Sequence, residues 1–162
     1  MSPNSFSTDV LEFLYLLDLN RVHYVIVGGE AVIYYGYVRL TGDIGIFYEP
    51  TTENADALFQ SLLSFWGGDP LGIQSVDDLL VPCQIIQYGR PPNRIDLMNT
   101  ITGVSFEEAW KERVLESVDH PKGLIMVPYI GVKALIQNKE HIGRDKDHED
   151  LKYLRQRLSN ES

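Results

Sequence analysis

Val27-Gly28-Gly29, a gap of thirteen residues, and then Asp43-Ile44-Gly45-Ile46 form the stretch on which the reading of this chain turns. Arg21 to Val27 is a β-branched and aromatic run that stops at the glycine pair, the mark of a buried strand. Glu30 to Tyr37 reads as a helix opening at that pair, and Asp43 to Tyr48 as a second strand. A strand that ends in two glycines and feeds a helix has a physical use. With no side chains in the way, backbone N–H groups come close to an anion, and the helix start adds partial positive charge. A plain tight turn is the bland alternative, and the glycine pair alone does not separate the two.

Working outward, Val10, Phe13, Leu14 and Leu17 recur at helical spacing and predict a helix with one buried face. Ala55, Leu58, Phe59 and Leu62 mark another, stopped by Gly67-Gly68. Cys83 to Tyr88 and Arg94 to Met98 read as strands joined by the turn Gly89-Arg90-Pro91-Pro92-Asn93. Ser105-Phe106-Glu107-Glu108 is a capping box, so a helix begins there. Leu124 to Pro128 reads as a short strand. Two helices, Val132 to His141 and Lys146 to Leu158, close the chain, the last burying Leu151, Leu154 and Leu158. No loop-like stretch is long enough to be a domain linker. The expectation is one domain over residues 1–162 of mixed α/β (α+β) class, with a small mixed sheet flanked by helices.

The composition agrees: of 162 residues, 44% are apolar and 23% charged, ordinary for a globular domain. The single cysteine, Cys83, excludes an internal disulfide and points to the cytoplasm. It is expected to be a buried strand residue and not a nucleophile. Met1 to Thr8 lacks the layout of a signal peptide. No apolar run approaches the ~20 residues that cross a bilayer, so no membrane partner is expected. A formal net charge of -9 excludes nucleic-acid binding through bulk charge. A polyanionic ligand would have to be met by a local cluster of donors or through metal ions.

Asp43 opens an apolar strand, and Asp96 lies alone inside another, Arg94-Ile95-Asp96-Leu97. Alternate strand residues share a face. Two strand aspartates aimed at one spot would hold a hard cation such as Mg²⁺, which takes oxygen ligands and keeps phosphates as partners. Singly, each reads as well as a solvent-facing strand end.

With these residues in place the chain resembles the DNA polymerase beta-type nucleotidyltransferase superfamily. The shared pattern is hydrophobic-Gly-Gly, a dozen or so residues, Asp-hydrophobic-carboxylate-hydrophobic, and a later hydrophobic-Asp-hydrophobic. Within it the chain is most similar to small bacterial members related to abortive-infection nucleotidyltransferase toxins. That style shows in Arg39-Leu40-Thr41-Gly42-Asp43-Ile44, in Arg94-Ile95-Asp96-Leu97 followed by Gly103-Val104-Ser105-Phe106-Glu107-Glu108-Ala109-Trp110, and in Asn138-Lys139-Glu140-His141-Ile142-Gly143-Arg144-Asp145-Lys146-Asp147. The likeness runs from about Tyr24 to Leu154. It implies the nucleotidyltransferase fold, with Gly28 and Gly29 beside a nucleoside triphosphate. It implies Asp43 and Asp96 as the catalytic, metal-binding pair, with Mg²⁺ (or Mn²⁺) as cofactor and Asp96 activating an attacking hydroxyl. The implied reaction moves a nucleoside monophosphate onto an RNA or protein hydroxyl, as a toxin-antitoxin component with an antitoxin partner.

The pattern breaks at one place. The family expects a carboxylate two residues after Asp43, on the same face, and this chain has Gly45. Glu49 shares the parity but stands ~13 Å further along the strand; Glu30 lies nearer the glycine turn. The chain is then a natural degenerate member, a form carrying an inactivating substitution, or one in which another residue supplies the ligand. Arg39 and Thr41 flank the first aspartate and would meet a phosphate and a metal-bound water, or would be an ordinary loop arginine and strand-entry threonine. In the charged run from Lys139 to Asp150, Lys139, Arg144 or Lys146 would point at the triphosphate, or the run is a solvated helix corner. The resemblance favours Lys139 and Lys146. His141 and His148 are seven apart, a poor zinc spacing. Tyr34, Tyr35 and Tyr37 read as packing. Two functions remain: a metal-dependent transferase, or an inactive nucleotide- or partner-binding module on the same fold. A weaker third, a purely structural interaction domain, would leave Asp43 and Asp96 apart.

Overall fold

The computed structural model describes residues 6–37, 43–68, 72–90 and 93–161. Its six strands are β1 (Tyr24–Val27), β2 (Asp43–Tyr48), β3 (Ile85–Tyr88), β4 (Arg94–Met98), β5 (Val114–His120) and β6 (Gly123–Tyr129), in the spatial order β3-β4-β2-β1-β6-β5. The sheet is mixed. β1 runs parallel to β6 and β2 parallel to β4, while the β1–β2, β3–β4 and β5–β6 pairs are antiparallel.

Strand parity divides the core in two. Tyr24 and Ile26, Ile44, Ile46 and Tyr48, and Ile95 and Leu97 point to one face. There they meet α1 (Thr8–Leu19) and α3 (Thr52–Phe65), which bury Val10, Phe13, Leu14 and Leu17, and Ala55, Leu58 and Leu62. The odd-numbered Val25, Val27 and Phe47 point to the other face, with Met98 packed beside them. Four helices cover that side: α2 (Gly29–Tyr34), α4 (Phe106–Lys111), α5 (Val132–Ile142) and α6 (Asp145–Glu161). The mixed α/β expectation therefore holds, as do the two amphipathic helices.

Local chemistry fixes the ends. Ser7 accepts from Val10 N at 3.3 Å and Thr51 from Asn54 N at 3.3 Å, capping α1 and α3. The capping box before α4 forms both of its bonds, Ser105 N to Glu108 Oε1 and Glu108 N to Ser105 Oγ, each 3.1 Å. Gly143 closes α5 in the left-handed region at φ 71. The three tyrosines pack as read. Tyr35 is buried, Tyr34 stacks on Tyr129 at 3.9 Å, and Tyr37 stacks on Tyr153 at 5.0 Å.

Several expectations are corrected. β1 starts at Tyr24, not Arg21, because Arg21 sits in a turn at φ 55. The helix after the glycines ends at Tyr34, three residues early. Cys83 is neither buried nor in a strand. It is exposed, adopts φ 62, and donates its backbone N–H to Asn99 Oδ1 at 3.2 Å, so β3 begins only at Ile85. The strand β5 and a 3-10 turn over Val76–Leu79 were not expected. Pro91 and Pro92 of the predicted turn lie outside the described residues.

Candidate functional site

β1 ends, and β2 and β4 begin, at the same margin of the sheet, so the glycine turn and both strand aspartates are brought to one place. Asp43 pairs laterally with Arg94, and Gly45 with Asp96. Val27 stands beside Gly45 on β1, and Gln87 beside Asp96 on β3. All six residues share the face covered by α5 and α6. The condition on which the sequence reading rested, Asp43 and Asp96 on one side of the sheet beside Gly28-Gly29, is met.

These residues floor a cleft of about 580 Å³. Gly28, Gly29, Asp43 and Asp96 line it, and Lys139, Arg144 and Lys146 line it from the α5–α6 corner. Arg39 and Thr41 lie outside the described residues. Gly28 takes φ 73 and ψ −149, a conformation that glycine alone adopts easily, and a Cβ there would meet nothing within 4 Å. The backbone thus turns sharply and leaves open space over the turn.

Between the two aspartates lies a guanidinium. Arg94 Nη2 donates to Asp43 Oδ2 at 2.9 Å, and Arg94 Nε stands 3.2 Å from Asp96 Oδ1. The second contact is one of charge without alignment: neither Nε nor Oδ1 is solvent-accessible, and neither makes a proper hydrogen bond. Burial, then a hydrogen bond with Asp43 and the charge of Asp43, push the Asp96 carboxyl up to about 7, while Arg94 and Gln87 pull the other way. Glu30, on the first turn of α2, is likewise pushed up to about 7, by burial first and then by Asp43. Among the described residues, no three His, Cys, Asp or Glu side chains gather as a metal-ligating group.

Across the cleft the cations are unequal. Lys139 is buried, and its ammonium is taken by Asp147 Oδ1 and Asp150 Oδ2, each at 3.0 Å. Arg144 holds the same Asp147 through Nε at 2.7 Å and Nη2 at 3.2 Å. Burial would raise the Asp147 carboxyl, but the hydrogen bonds from Arg144 and Lys139 outweigh it and hold it down at about 2. Arg144 nonetheless keeps about half of its side chain exposed (51%). Lys146 is exposed at the cleft mouth. Lys139 therefore builds the wall, while Arg144 and Lys146 face what enters.

Position 45 has a packing reason as well. A Cβ there would stand 3.0 Å from Val27 Cγ2, 3.3 Å from Val27 O and 3.5 Å from Met98 Cε. Any side chain at position 45 would therefore be tight against Val27, although Gly45 itself lines the cleft.

Sequence reading missed Arg94 as a site residue, although its parity with Asp96 was enough to place both side chains on one face. It weighed Arg144 but preferred Lys139, whose burial no local pattern reveals. A wider groove of about 1160 Å³ opens on the opposite face, with Phe65, Trp66 and Tyr88 among its lining residues. Asp9, Glu12, Gly89, Arg90, His120 and Lys122 border it, but neither strand aspartate nor the Gly28-Gly29 turn does, and the close charged pair among them, His120 with Glu12 at 3.1 Å, joins β5 to α1. Size alone does not make it the site. No family model matches the chain, and a search of curated proteins finds no match either.

Proposed function

We propose that this chain is a nucleotidyltransferase-fold protein that holds a nucleoside triphosphate in the 580 Å³ cleft, with one divalent cation at Asp43 and Asp96. The observation that carries the reading is the convergence of Asp43, Asp96 and the Gly28-Gly29 turn on one sheet face, opposite Arg144 and Lys146. The donor set suits a cation. Asp96 Oδ1 is a buried carboxylate oxygen with no hydrogen bond, and a second carboxylate lies beside it. It suits one ion and not two, because Gly45 offers nothing to bridge a pair.

When bound, Mg²⁺ or Mn²⁺ would offset charge on the triphosphate. The chain's own groups do the rest. The open space over Gly28 admits phosphate oxygens, and Arg144 and Lys146 meet their charge. The Asp96 carboxylate, on the cleft floor beside Asp43, would take the proton of an attacking hydroxyl. That oxygen bonds to the α-phosphorus as the bond to pyrophosphate breaks, leaving the nucleoside monophosphate on an RNA or protein acceptor. Transfer is slow in this chain because the third carboxylate is missing. An antitoxin partner and a cytoplasmic site of action accompany this reading.

The packing of Val27 against Gly45 favours a second reading, a module that holds nucleotide without transferring it. Two measurements separate them. A thermal-shift panel of the four ribonucleoside triphosphates with Mg²⁺ and Mn²⁺ should show stabilisation by at least one; none would sink both readings. Transfer of α-phosphate label, in the wild type or after Gly45→Asp, would select the enzyme.

A further inference from the structure

Arg94 differs from the other cations of the cleft in what it is paired with. Lys139 and Arg144 hold Asp147 and Asp150, which belong to the α5–α6 wall. Arg94 holds Asp43 and Asp96, the two groups that the reading above gives to a cation. Its side chain is about one-third exposed (33%), against 2% for Lys139, so it has room to move within the cleft. Its grip is also uneven. One contact is a true hydrogen bond at 2.9 Å, and the other is an unaligned approach at 3.2 Å that leaves a buried carboxylate oxygen without a donor.

We propose that Arg94 is an internal counter-ion that exchanges with the divalent cation: it clamps Asp43 to Asp96 when the cation is away, and turns its guanidinium to the phosphates of the nucleotide when the cation arrives. This rests on the reading of the cleft as a nucleotide site. Two adjacent carboxylates repel, and burial sharpens the repulsion. A single positive charge between them relieves it, and a double charge relieves it more. Arginine and ion compete for the same oxygens, so each weakens the other's hold by the same factor. The displaced guanidinium carries a planar fork of donors that suits phosphate oxygens. Gly45 sharpens the competition: a carboxylate at that position would let the ion bind without evicting Arg94 from every oxygen. Arg94 is then a positioning residue in the empty cleft and a ligand-binding residue in the loaded one.

The test uses the full chain stripped with EDTA, with Mn²⁺ as probe, and reads free Mn²⁺ by electron paramagnetic resonance. Without nucleotide, Arg94→Gln is expected to bind Mn²⁺ roughly tenfold more tightly than wild type, the scale of one lost competing ion pair. With a non-hydrolysable ATP analogue present, the same variant should bind the analogue more weakly than wild type. Arg94→Lys should fall between the two, and it carries the test if Arg94→Gln does not fold. Equal or weaker Mn²⁺ binding by the variants would overturn the exchange while leaving the nucleotide site standing. Tighter Mn²⁺ binding with unchanged analogue affinity would overturn the turn toward phosphate. If wild type and variants bind neither Mn²⁺ nor the analogue, the nucleotide reading itself falls, and the exchange with it.

Discussion

A β-carbon added at position 45 would press on Val27 at 3.0 Å, a contact with a branched side chain that turns little within a strand. Gly45→Asp alone is therefore expected to destabilise the fold by about 1–3 kcal/mol, the usual cost of overpacking. Adding Val27→Ala should return part of that loss by opening the space, and should raise label transfer above that of either single change. Chemical denaturation of the four proteins reads the first effect; a double variant no more stable than Gly45→Asp would show that Val27 is not the obstacle. Titration supplies a second residue-scale expectation. Asp96 and Glu30 keep their protons to about pH 7 in the folded chain, whereas the unfolded chain releases them near their ordinary values of about 4. Between those limits the unfolded state binds fewer protons, so in metal-free buffer stability falls as pH rises from about 4 to about 7 and then levels. Asp147 acts in the opposite sense only below that window, toward pH 2. Melting temperatures across pH should show the fall, and Asp96→Asn should flatten it; an unchanged slope in Asp96→Asn would place the proton uptake elsewhere. At this scale the two strand aspartates were legible as lone acids in apolar strands, but that they share a face follows from the β2–β4 register, which sets Asp43 beside Arg94 and Gly45 beside Asp96. Arg94 was not, because a cation inside a strand looks the same whether it meets water or two acids.

Among the elements, the α5–α6 corner gives the clearest contrast. Lys139 lies between Asp147 and Asp150 with all three groups buried. Lys139→Ala leaves two buried acids without their ammonium and is expected to cost about 3–5 kcal/mol. Lys146→Ala changes an exposed residue of the same corner and should stay within about 0.5 kcal/mol of wild type. Its effect should appear in nucleotide affinity. Denaturant midpoints for the pair, with analogue binding beside them, check the division between wall and ligand contact. Equal losses of stability would erase it. The run from Lys139 to Asp150 could be seen in the sequence as charged. Which charges turn inward depended on how two helices meet, and that is not a local property. β5 escaped detection for a related reason. Leu115, Ser117 and Asp119 alternate on its bare side, while Glu116 on the inner side accepts the Tyr34 hydroxyl at 3.0 Å, so neither face reads as apolar. The helices α1, α3 and α4 were legible because their spacing and caps are written in consecutive residues.

For the molecule as a whole, alternation within β1, β2 and β4 sends one set of side chains to the α1–α3 layer and the other to the α2, α4, α5 and α6 layer. That division was visible in the sequence strand by strand, but the strand order was not, since it is set by pairings between distant segments. No helix among the described residues is long and apolar enough to cross a membrane.

β1 is enclosed in every direction. It lies between β2 and β6 in the sheet, and each of its four residues is buried. It also carries Gly28-Gly29 at its end. Its amides should therefore exchange with deuterium only through global unfolding, while the β3 and β5 margins exchange through local fraying. Mass-resolved exchange would show this as a protected segment next to the turn, and early labelling of β1 would contradict it. The turn is thus tethered to the part of the molecule that opens last. A visiting ligand would meet a floor that does not breathe on its own timescale, and any adaptation must come from the walls.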